Sequence, residues 1–132
     1  MSNALPDGAK ELLDRPEFAT VATIGSDGQP QLSVVWVKHD GDDVLISTTT
    51  NRQKYRNIAR DPRVSVLVFP KDKPYSYLEV RGTATMSEQG GRELIDEFNE
   101  KYHGVRPYPG DKGTDNVRVV VRITPDKVVF RG

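Results

Sequence analysis

The residues best suited to chemistry lie between Ile46 and Pro62, where four hydroxyl side chains precede two cations. Residues 47–50 are Ser-Thr-Thr-Thr, and Arg52 and Lys54 follow in the first turn of an expected helix. Free N–H groups already make a helix start positive, so cations there are unfavourable unless an anion binds. A strand end, a hydroxyl-rich turn and a basic helix start together predict a phosphate-binding site.

The arginines of this stretch have a second interpretation, as one solvated face of the helix. Arg52, Arg56, Arg60 and Arg63 recur at helical spacing, and such a row is usually exposed to water. The hydroxyl run and the first-turn cations give the phosphate-binding interpretation equal weight. Residue types alone leave both open.

The bounds of this helix follow from local preferences. Asn51 is expected at the N-cap, where its side chain would accept a hydrogen bond from a free N–H group. Asp61 precedes Pro62, and the residue before a proline disfavours helical angles, so the helix should end there. The expected buried, apolar face consists of Tyr55, Ile58 and Ala59.

The rest of the chain offers few groups that could carry out a reaction. It has no cysteine, and its two histidines, His39 and His103, do not have the spacing of a metal site. Neither a nucleophile elbow nor a Gly-rich phosphate loop is present in the sequence. We therefore expect no metal site and leave the catalytic residues unassigned. If the protein is an enzyme, a bound cofactor is expected to carry the reaction.

Composition limits the class of protein further. A chain of 132 residues has the length of one domain, and we expect a single domain over residues 1–132. The 19 acidic and 19 basic residues balance, which argues against nucleic acid and favours a small anionic ligand for the local basic cluster. No signal peptide is recognisable and the longest apolar runs have four residues, so we expect a cytoplasmic protein without a membrane span.

Residue periodicity predicts a small β protein with helices outside. Strands are expected over residues 18–24, 31–38, 44–48, 63–70, 76–87 and 117–123, with 127–130 extending or repeating the last. Besides the basic helix, helices are expected over residues 6–13 and 87–102. Mostly hairpin connections predict an antiparallel barrel or strongly curled sheet, in the α+β or mainly-β class.

Three details of this pattern make specific structural predictions. Gly82 lies inside a strand, which predicts a bulge or a close backbone approach. Both faces of the strand over residues 63–70 are apolar, so both are expected to be covered. Residues 103–116 are rich in Gly and Pro, which is typical of a binding loop or lid, and a tolerated surface insertion is equally supported.

Three segments together resemble one known family. Residues 18–33 read FATVATIGSDGQPQLS, residues 48–64 read TTTNRQKYRNIARDPRV and residues 79–84 read EVRGTA. This pattern resembles the pyridoxamine 5′-phosphate oxidase-like split β-barrel superfamily. Within it, the chain is most similar to the actinobacterial B-type flavin/deazaflavin oxidoreductases, which use coenzyme F420. The resemblance covers nearly the whole chain. It implies a mainly-β, antiparallel FMN-binding split barrel and a homodimer with the cofactor site between its subunits.

The resemblance also implies site residues. Arg52 and Lys54 match the positions that bind the cofactor phosphate, and Arg56 is a further candidate. Neighbouring strand positions that lend hydroxyl or backbone contacts are matched by Ser33, Ser47, Thr48 and Thr49. The strand from Gln31 to Trp36 matches the strand beside the flavin-type ring. Trp36 is expected either to stack on the ring or substrate, or to pack in the core or a subunit interface.

The reaction that the resemblance implies is hydride transfer from reduced F420, a deazaflavin, to an unsaturated small organic acceptor. Residues 102–107 are similar to a segment of members that reduce biliverdin. The resemblance to the family implies biliverdin-like or quinone-like acceptors. An FMN-binding oxidase or flavin reductase of the pyridoxamine-phosphate-oxidase type is the alternative in the same fold. A flavin- or deazaflavin-binding protein without enzymatic activity is a third.

Overall fold

The computed structural model describes residues 3–132, which contain seven strands and three helices. The strands are β1 (Ala19–Ile24), β2 (Pro30–Val35), β3 (Lys38–Asp40), β4 (Asp43–Thr49), β5 (Arg63–Val68), β6 (Leu78–Ser87) and β7 (Arg118–Phe130). The helices are α1 (Asp7–Asp14), α2 (Gln53–Arg60) and α3 (Gly91–His103). Within these residues no helix is both long and apolar enough to cross a membrane.

All seven strands form one antiparallel sheet in the order β2-β1-β5-β6-β7-β4-β3. The two edge strands, β2 and β3, are consecutive in sequence and separated by Trp36 and Val37 alone. The sheet must therefore curl until its edges lie at this one bend. The expected strand over residues 31–38 is in fact two strands, and the predicted mainly-β, antiparallel split barrel with short helices outside is confirmed.

Alternation along the strands directs small branched side chains into the barrel. Val21, Ile46, Val66, Val80 and Val121 are at most 2 % exposed and belong to one core cluster. Helix α1 adds Leu12 and Leu13 to the same cluster. Helix α3 instead packs on the outside of the barrel, where a second cluster consists of Leu45, Leu94, Ile95 and Phe98. Two of these four residues, Ile95 and Phe98, also line the candidate site.

The predicted irregularity at Gly82 is confirmed. Arg81 lies opposite Lys127 while Gly82 lies opposite Pro125, so β7 has one extra residue at this point. A Cβ atom on Gly82 would lie 2.4 Å from the carbonyl oxygen of Thr124, which excludes any side chain without a backbone shift.

Two further sequence predictions differ from the structure of the single chain. Strand β5 is covered on one face only by this chain, because Leu67 and Phe69 remain 37 % and 40 % exposed. The long helix does not begin at residue 87, because β6 continues to Ser87. It begins at Gly91, after Gly90 has taken a left-handed conformation with φ of 82°.

Helix α2 differs from its prediction at its start and on its buried face. The N-cap residue is Arg52 and has no side-chain capping bond, while the side chain of Asn51 bonds elsewhere. The buried residues are Lys54, Asn57 and Ile58, whereas Ala59 is exposed. Their i, i+3, i+4 spacing places these three residues on the inward face of the helix. A lysine on the inward face of a helix is the first structural sign of a site.

Candidate cofactor site

A cavity of about 210 Å³ lies where α2 begins, and we refer to it as the α2 cavity. Its polar lining consists of Ser47 and three cations, Arg52, Lys54 and Arg118. Its apolar and aromatic lining includes Phe18, Val34, Trp36, Ile95, Phe98 and Tyr108. This combination suits a ligand that has both an anionic group and a flat apolar part.

Lys54 is buried at this cavity without a protein partner. Its exposed fraction is 5 %, and its ammonium makes no hydrogen bond or ion pair with any of residues 3–132. Desolvation by burial, and next the charge of Arg52, lower the pKa of Lys54 from 10.5 to about 8. An ammonium removed from water without a partner is costly, so the local structure favours a bound anion.

Arg52 supplies a second unpaired charge at the same place. It is exposed at the N-cap of α2, and its side chain has no bonding partner in the described part of the chain. The free N–H groups of the first helical turn lie beside it. Two unpaired cations and the helix start thus lie together, and the binding of an anion by Arg52 and Lys54 stays a prediction.

The third cation, Arg118, is neutralised inside the protein by Asp111. Nε of Arg118 donates to Oδ2 of Asp111 at 2.6 Å, and Nη2 donates to Oδ1 at 2.9 Å. The two side chains are 7 % and 4 % exposed, and Nη2 of Arg92 donates to the same carboxylate at 3.0 Å. The hydrogen bonds from Arg118 are the largest cause that lowers the pKa of Asp111 to about 2. The unbalanced charge of the cavity therefore comes from the helix start.

Asp111 also belongs to a chain of hydrogen bonds that joins the loop before β7 to the start of α2. Nδ2 of Asn116 donates to Oδ1 of Asp111 at 2.9 Å, and Nδ2 of Asn51 donates to Oδ1 of Asn116 at 3.0 Å. The hydroxyl of Thr49 donates to Oδ1 of Asn51 at 2.5 Å. The loop is thus held beside the cavity, and its Tyr108 forms part of the lining.

Trp36 occupies the bend between β2 and β3 in an aromatic cluster. Its ring stacks on Tyr102, with centroids 5.1 Å apart and planes 13° apart. Three further rings meet it edge to face, His103 at 5.4 Å, Tyr108 at 6.0 Å and Phe98 at 6.4 Å. Trp36 thus packs against α3 and also lines the α2 cavity, and its stacking on a ligand stays a prediction.

Helix α3 fixes this bend from behind. The N–H of Val37 donates to Oη of Tyr102 at 3.1 Å, and that hydroxyl donates to the carbonyl of Glu17 at 2.7 Å. Nζ of Lys101 donates to the carbonyls of Val37 at 2.7 Å and of Leu13 at 2.5 Å. Burial raises the pKa of Tyr102 to about 12 and lowers that of Lys101 to about 8. These contacts hold the indole wall in one position.

The four predicted hydroxyl residues divide between different surroundings. Ser47 lines the cavity, and its Oγ accepts a hydrogen bond from Nη1 of Arg118 at 3.3 Å. The hydroxyl of Thr49 is used in the turn before α2. Thr48 alternates to the other face of β4, toward the barrel interior, and its Oγ1 is buried without a partner in residues 3–132. Ser33 on β2 is outside the cavity lining.

Gln31 and Arg56 have other partners and do not line the α2 cavity. Oε1 of Gln31 accepts a hydrogen bond from Nδ2 of Asn57 at 2.9 Å, which ties α2 to the hairpin of β1 and β2. Arg56 is exposed, and its Nη2 donates to Oε1 of Gln53 at 2.9 Å. Gln31 therefore positions the helix that carries the site, whereas Arg56 lies on its solvated face.

Asp111, Tyr108 and Arg118 belong to the site or support it but were not predicted from the sequence. The two charges are seven residues apart across an irregular loop, so no periodic pattern connects them. Tyr108 lies between Pro107 and Pro109, and this aromatic residue between two prolines was the feature of the sequence that could have indicated it. Among residues 3–132, no group of three His, Cys, Asp or Glu side chains could hold a metal ion.

Comparison with known sequences identifies the family. The family described as pyridoxamine 5′-phosphate oxidase matches residues 5–132, which is nearly the whole chain. The chain belongs to this family. The resemblance to the pyridoxamine 5′-phosphate oxidase-like split-barrel superfamily is therefore confirmed, and its members include oxidoreductases.

The relatives of this chain differ in the activity that their names give. A pyridoxine/pyridoxamine 5′-phosphate oxidase from Kineococcus radiotolerans is 34% identical over 107 residues, covering 81% of this chain and 43% of that protein. This chain thus matches less than half of that relative's length. A structure named F420 reductase is 34% identical, with a TM-score of 0.82 over 95% of this chain and 98% of its own. A conserved hypothetical protein from Mycobacterium tuberculosis is 26% identical, with a TM-score of 0.74 over 97% and 86% of the two chains.

Proposed function

We propose that this chain is an oxidoreductase that binds coenzyme F420 and transfers hydride between this deazaflavin and an unsaturated small organic acceptor. The observation that carries the proposal is the pair of unpaired cations, Arg52 and Lys54, at a cavity walled by Trp36 and Tyr108. F420 has a phosphate and a flat ring system, which are the two features that such a lining would bind. Biliverdin-like and quinone-like molecules are the first acceptors to test.

The residues of the chain would bind and orient the cofactor. Lys54 and Arg52 would hold the phosphate by charge-assisted hydrogen bonds, and the hydroxyl of Ser47 lies in the same lining. Trp36 offers an aromatic surface, and Tyr102 prevents that surface from moving away. When bound, the deazaflavin supplies the hydride chemistry, for which the lining side chains have no equivalent.

FMN is the alternative cofactor, and a specific observation favours it. The Kineococcus relative is named as an oxidase of pyridoxine and pyridoxamine phosphates, and FMN also has a phosphate and a three-ring system. F420 remains the first choice because the F420 reductase matches this chain over 98% of its own length, against 43% for the oxidase. A flavin- or deazaflavin-binding protein without activity is the third candidate, and it would bind cofactor but reduce no acceptor.

An exposed apolar face of the sheet continues from the α2 cavity. Across β2, β1 and β5, Val34 lies opposite Thr20, which lies opposite Leu67. Leu32 and Val34 are 65 % and 69 % exposed, so apolar side chains on this face are open to water. A second, mostly apolar cavity of about 610 Å³ lies on this face.

We propose that a second copy of the chain covers this face. Val34 and Phe18 are exposed on it and also line the α2 cavity, so the same partner would close the open side of the cofactor site. The outer face of β5, which the sequence predicted to be covered, would then be covered in the homodimer rather than by this chain alone. The cofactor would lie at the subunit interface.

The deciding experiment is a titration of the purified protein with F420 and, in parallel, with FMN, followed by ligand fluorescence and calorimetry. We expect tight binding of F420, and Lys54→Ala should weaken it by about 1.5–3 kcal/mol, the scale of a hydrogen bond to a charged group. Lys127→Ala removes one exposed positive charge elsewhere and is the control. Binding of FMN alone would contradict the choice of cofactor, and unchanged affinity in Lys54→Ala would contradict the placement of the phosphate.

A further inference from the structure

The chain contains two lysines whose pKa values are lowered alike but whose amines differ in their hydrogen bonds. Burial lowers the pKa of both Lys54 and Lys101 to about 8. Lys101 donates two hydrogen bonds to main-chain carbonyls, and it is absent from the lining of the α2 cavity. Lys54 has no partner among residues 3–132 and lies in the cavity lining. One of the two amines is thus structural, whereas the other is free to react.

We propose that Lys54 is a nucleophilic amine that forms an imine with small aldehydes carrying an anionic group. This inference rests on the proposed anion site at Arg52 but assigns a covalent reaction in addition to cofactor binding. The geometry supplies what the reaction needs: an unpartnered amine at a cavity wall, a neighbouring guanidinium for the anion, and aromatic walls that reduce competition from water.

The chemical step is balanced without a further reactant. The nitrogen of the unprotonated amine attacks the carbonyl carbon, and the C=O π bond opens to give a carbinolamine. This intermediate loses water to form a C=N bond. The two amine hydrogens and the carbonyl oxygen leave together as that water molecule, so nothing is oxidised or reduced.

The surroundings of Lys54 make it more reactive than an exposed lysine. At pH 7, a pKa of about 8 leaves roughly a tenth of the amine unprotonated, against about one in 3,000 for an ordinary lysine. Desolvation next to another cation is a known way to activate a lysine amine. Lys101 has a similar free fraction, but its hydrogen bonds and its position away from the cavity withhold it from a ligand.

The test uses pyridoxal 5′-phosphate, which has both an aldehyde and a phosphate, with cyanoborohydride to trap imines and peptide mass spectrometry to locate them. We expect Lys54 to be labelled at least about tenfold faster than the exposed Lys73 and Lys127, and Lys101 no faster than they are. Pyridoxal, which lacks the phosphate, should label Lys54 more slowly because Arg52 then has no anion to bind. Labelling of Lys54 at the rate of exposed lysines would overturn the inference.

Two variants locate the adduct, and cofactor binding to the native chain separates this inference from the proposed function. Lys54→Arg replaces the amine and should lose the trapped adduct, whereas Lys101→Arg should keep it. Bound F420 should protect Lys54 from labelling in the native chain. If F420 binds and Lys54 is not labelled, the imine inference alone is wrong. If Lys54 is labelled and neither F420 nor FMN binds, the cofactor proposal is wrong and the reactive lysine remains.

Discussion

Lys54→Met should make the ligand-free protein more stable while it removes anion binding. Methionine has a similar length and no charge, so it can fill the space of the lysine stem without a buried ammonium. The lysine has no hydrogen bond or ion pair to lose within residues 3–132. The substitution therefore separates the stability of the fold from the electrostatics of the site.

The size of this effect follows from the lowered pKa. A fall from 10.5 to about 8 corresponds to a penalty of roughly 3 kcal/mol on the charged form, at about 1.4 kcal/mol per tenfold change. Between these two values the unfolded chain binds more protons than the folded chain, so wild-type stability rises with pH. We expect Lys54→Met to gain about 1–3 kcal/mol at pH 7, and to gain about 2 kcal/mol less at pH 10.

The assay is urea unfolding of both proteins at pH 7 and pH 10, with phosphate binding measured by its effect on the midpoint. Lys101→Met is the matched control, because it removes a similarly shifted lysine that donates to the carbonyls of Leu13 and Val37. Loss of these bonds should leave it less stable than Lys54→Met by about 1–3 kcal/mol. A Lys54→Met protein that is less stable than wild type at pH 7, or a gain that does not depend on pH, would refute the reasoning.

Three further predictions concern the supports of the site. Asp111→Asn leaves two arginines without their carboxylate and should lower the free energy of unfolding in urea at pH 7 by about 3–5 kcal/mol. The control, Asp115→Asn at an exposed position, should change it little. A loss below about 1 kcal/mol in Asp111→Asn would contradict a structural role for the ion cluster. Val34→Glu places a charge on the exposed sheet face and should give a monomer in sedimentation with weaker F420 binding; a dimer of unchanged affinity would disprove the proposed interface. Gly82→Ala brings a methyl group within 2.4 Å of a carbonyl oxygen and should lower stability by about 1–3 kcal/mol in thermal unfolding; a neutral effect would show that the bulge can relax.

The strands were predictable because their periodicity is a local property. Alternation of branched side chains fixed β1, β4 and β5 to within a residue or two, and Gly82 marked its bulge correctly. The split between β2 and β3 was not predictable, because Trp36 and Val37 continue the apolar run while their positions depend on hydrogen bonds from α3. A bend that is held by hydrogen bonds from distant residues leaves no pattern in the sequence of the bend itself.

The start of α2 shows why part of the site could be found from sequence. Cations in a first helical turn violate a local rule, and Arg52 and Lys54 indeed line one cavity. The N-cap and the buried face were wrong because a local rule was applied where tertiary bonds decide. Asn51 bonds to Thr49 and Asn116 instead of capping, and Lys54 lies on the inward face of the helix.

Asp111 determines where the unpaired positive charge of the cavity lies. Three cations line the cavity, and if all three were unpaired, the cavity would attract any anion from several directions. The carboxylate of Asp111 binds Arg118 and thereby leaves the excess charge at Arg52 and Lys54, on the first turn of one helix. An anion bound there offsets the free-energy cost of burying the Lys54 ammonium. It stabilises the folded chain by RT ln(1 + [L]/Kd), where [L] is the concentration of free anion and Kd is its dissociation constant. Stability and affinity should therefore change in opposite directions at Lys54 and in the same direction at Asp111, and this difference distinguishes a binding residue from a structural one.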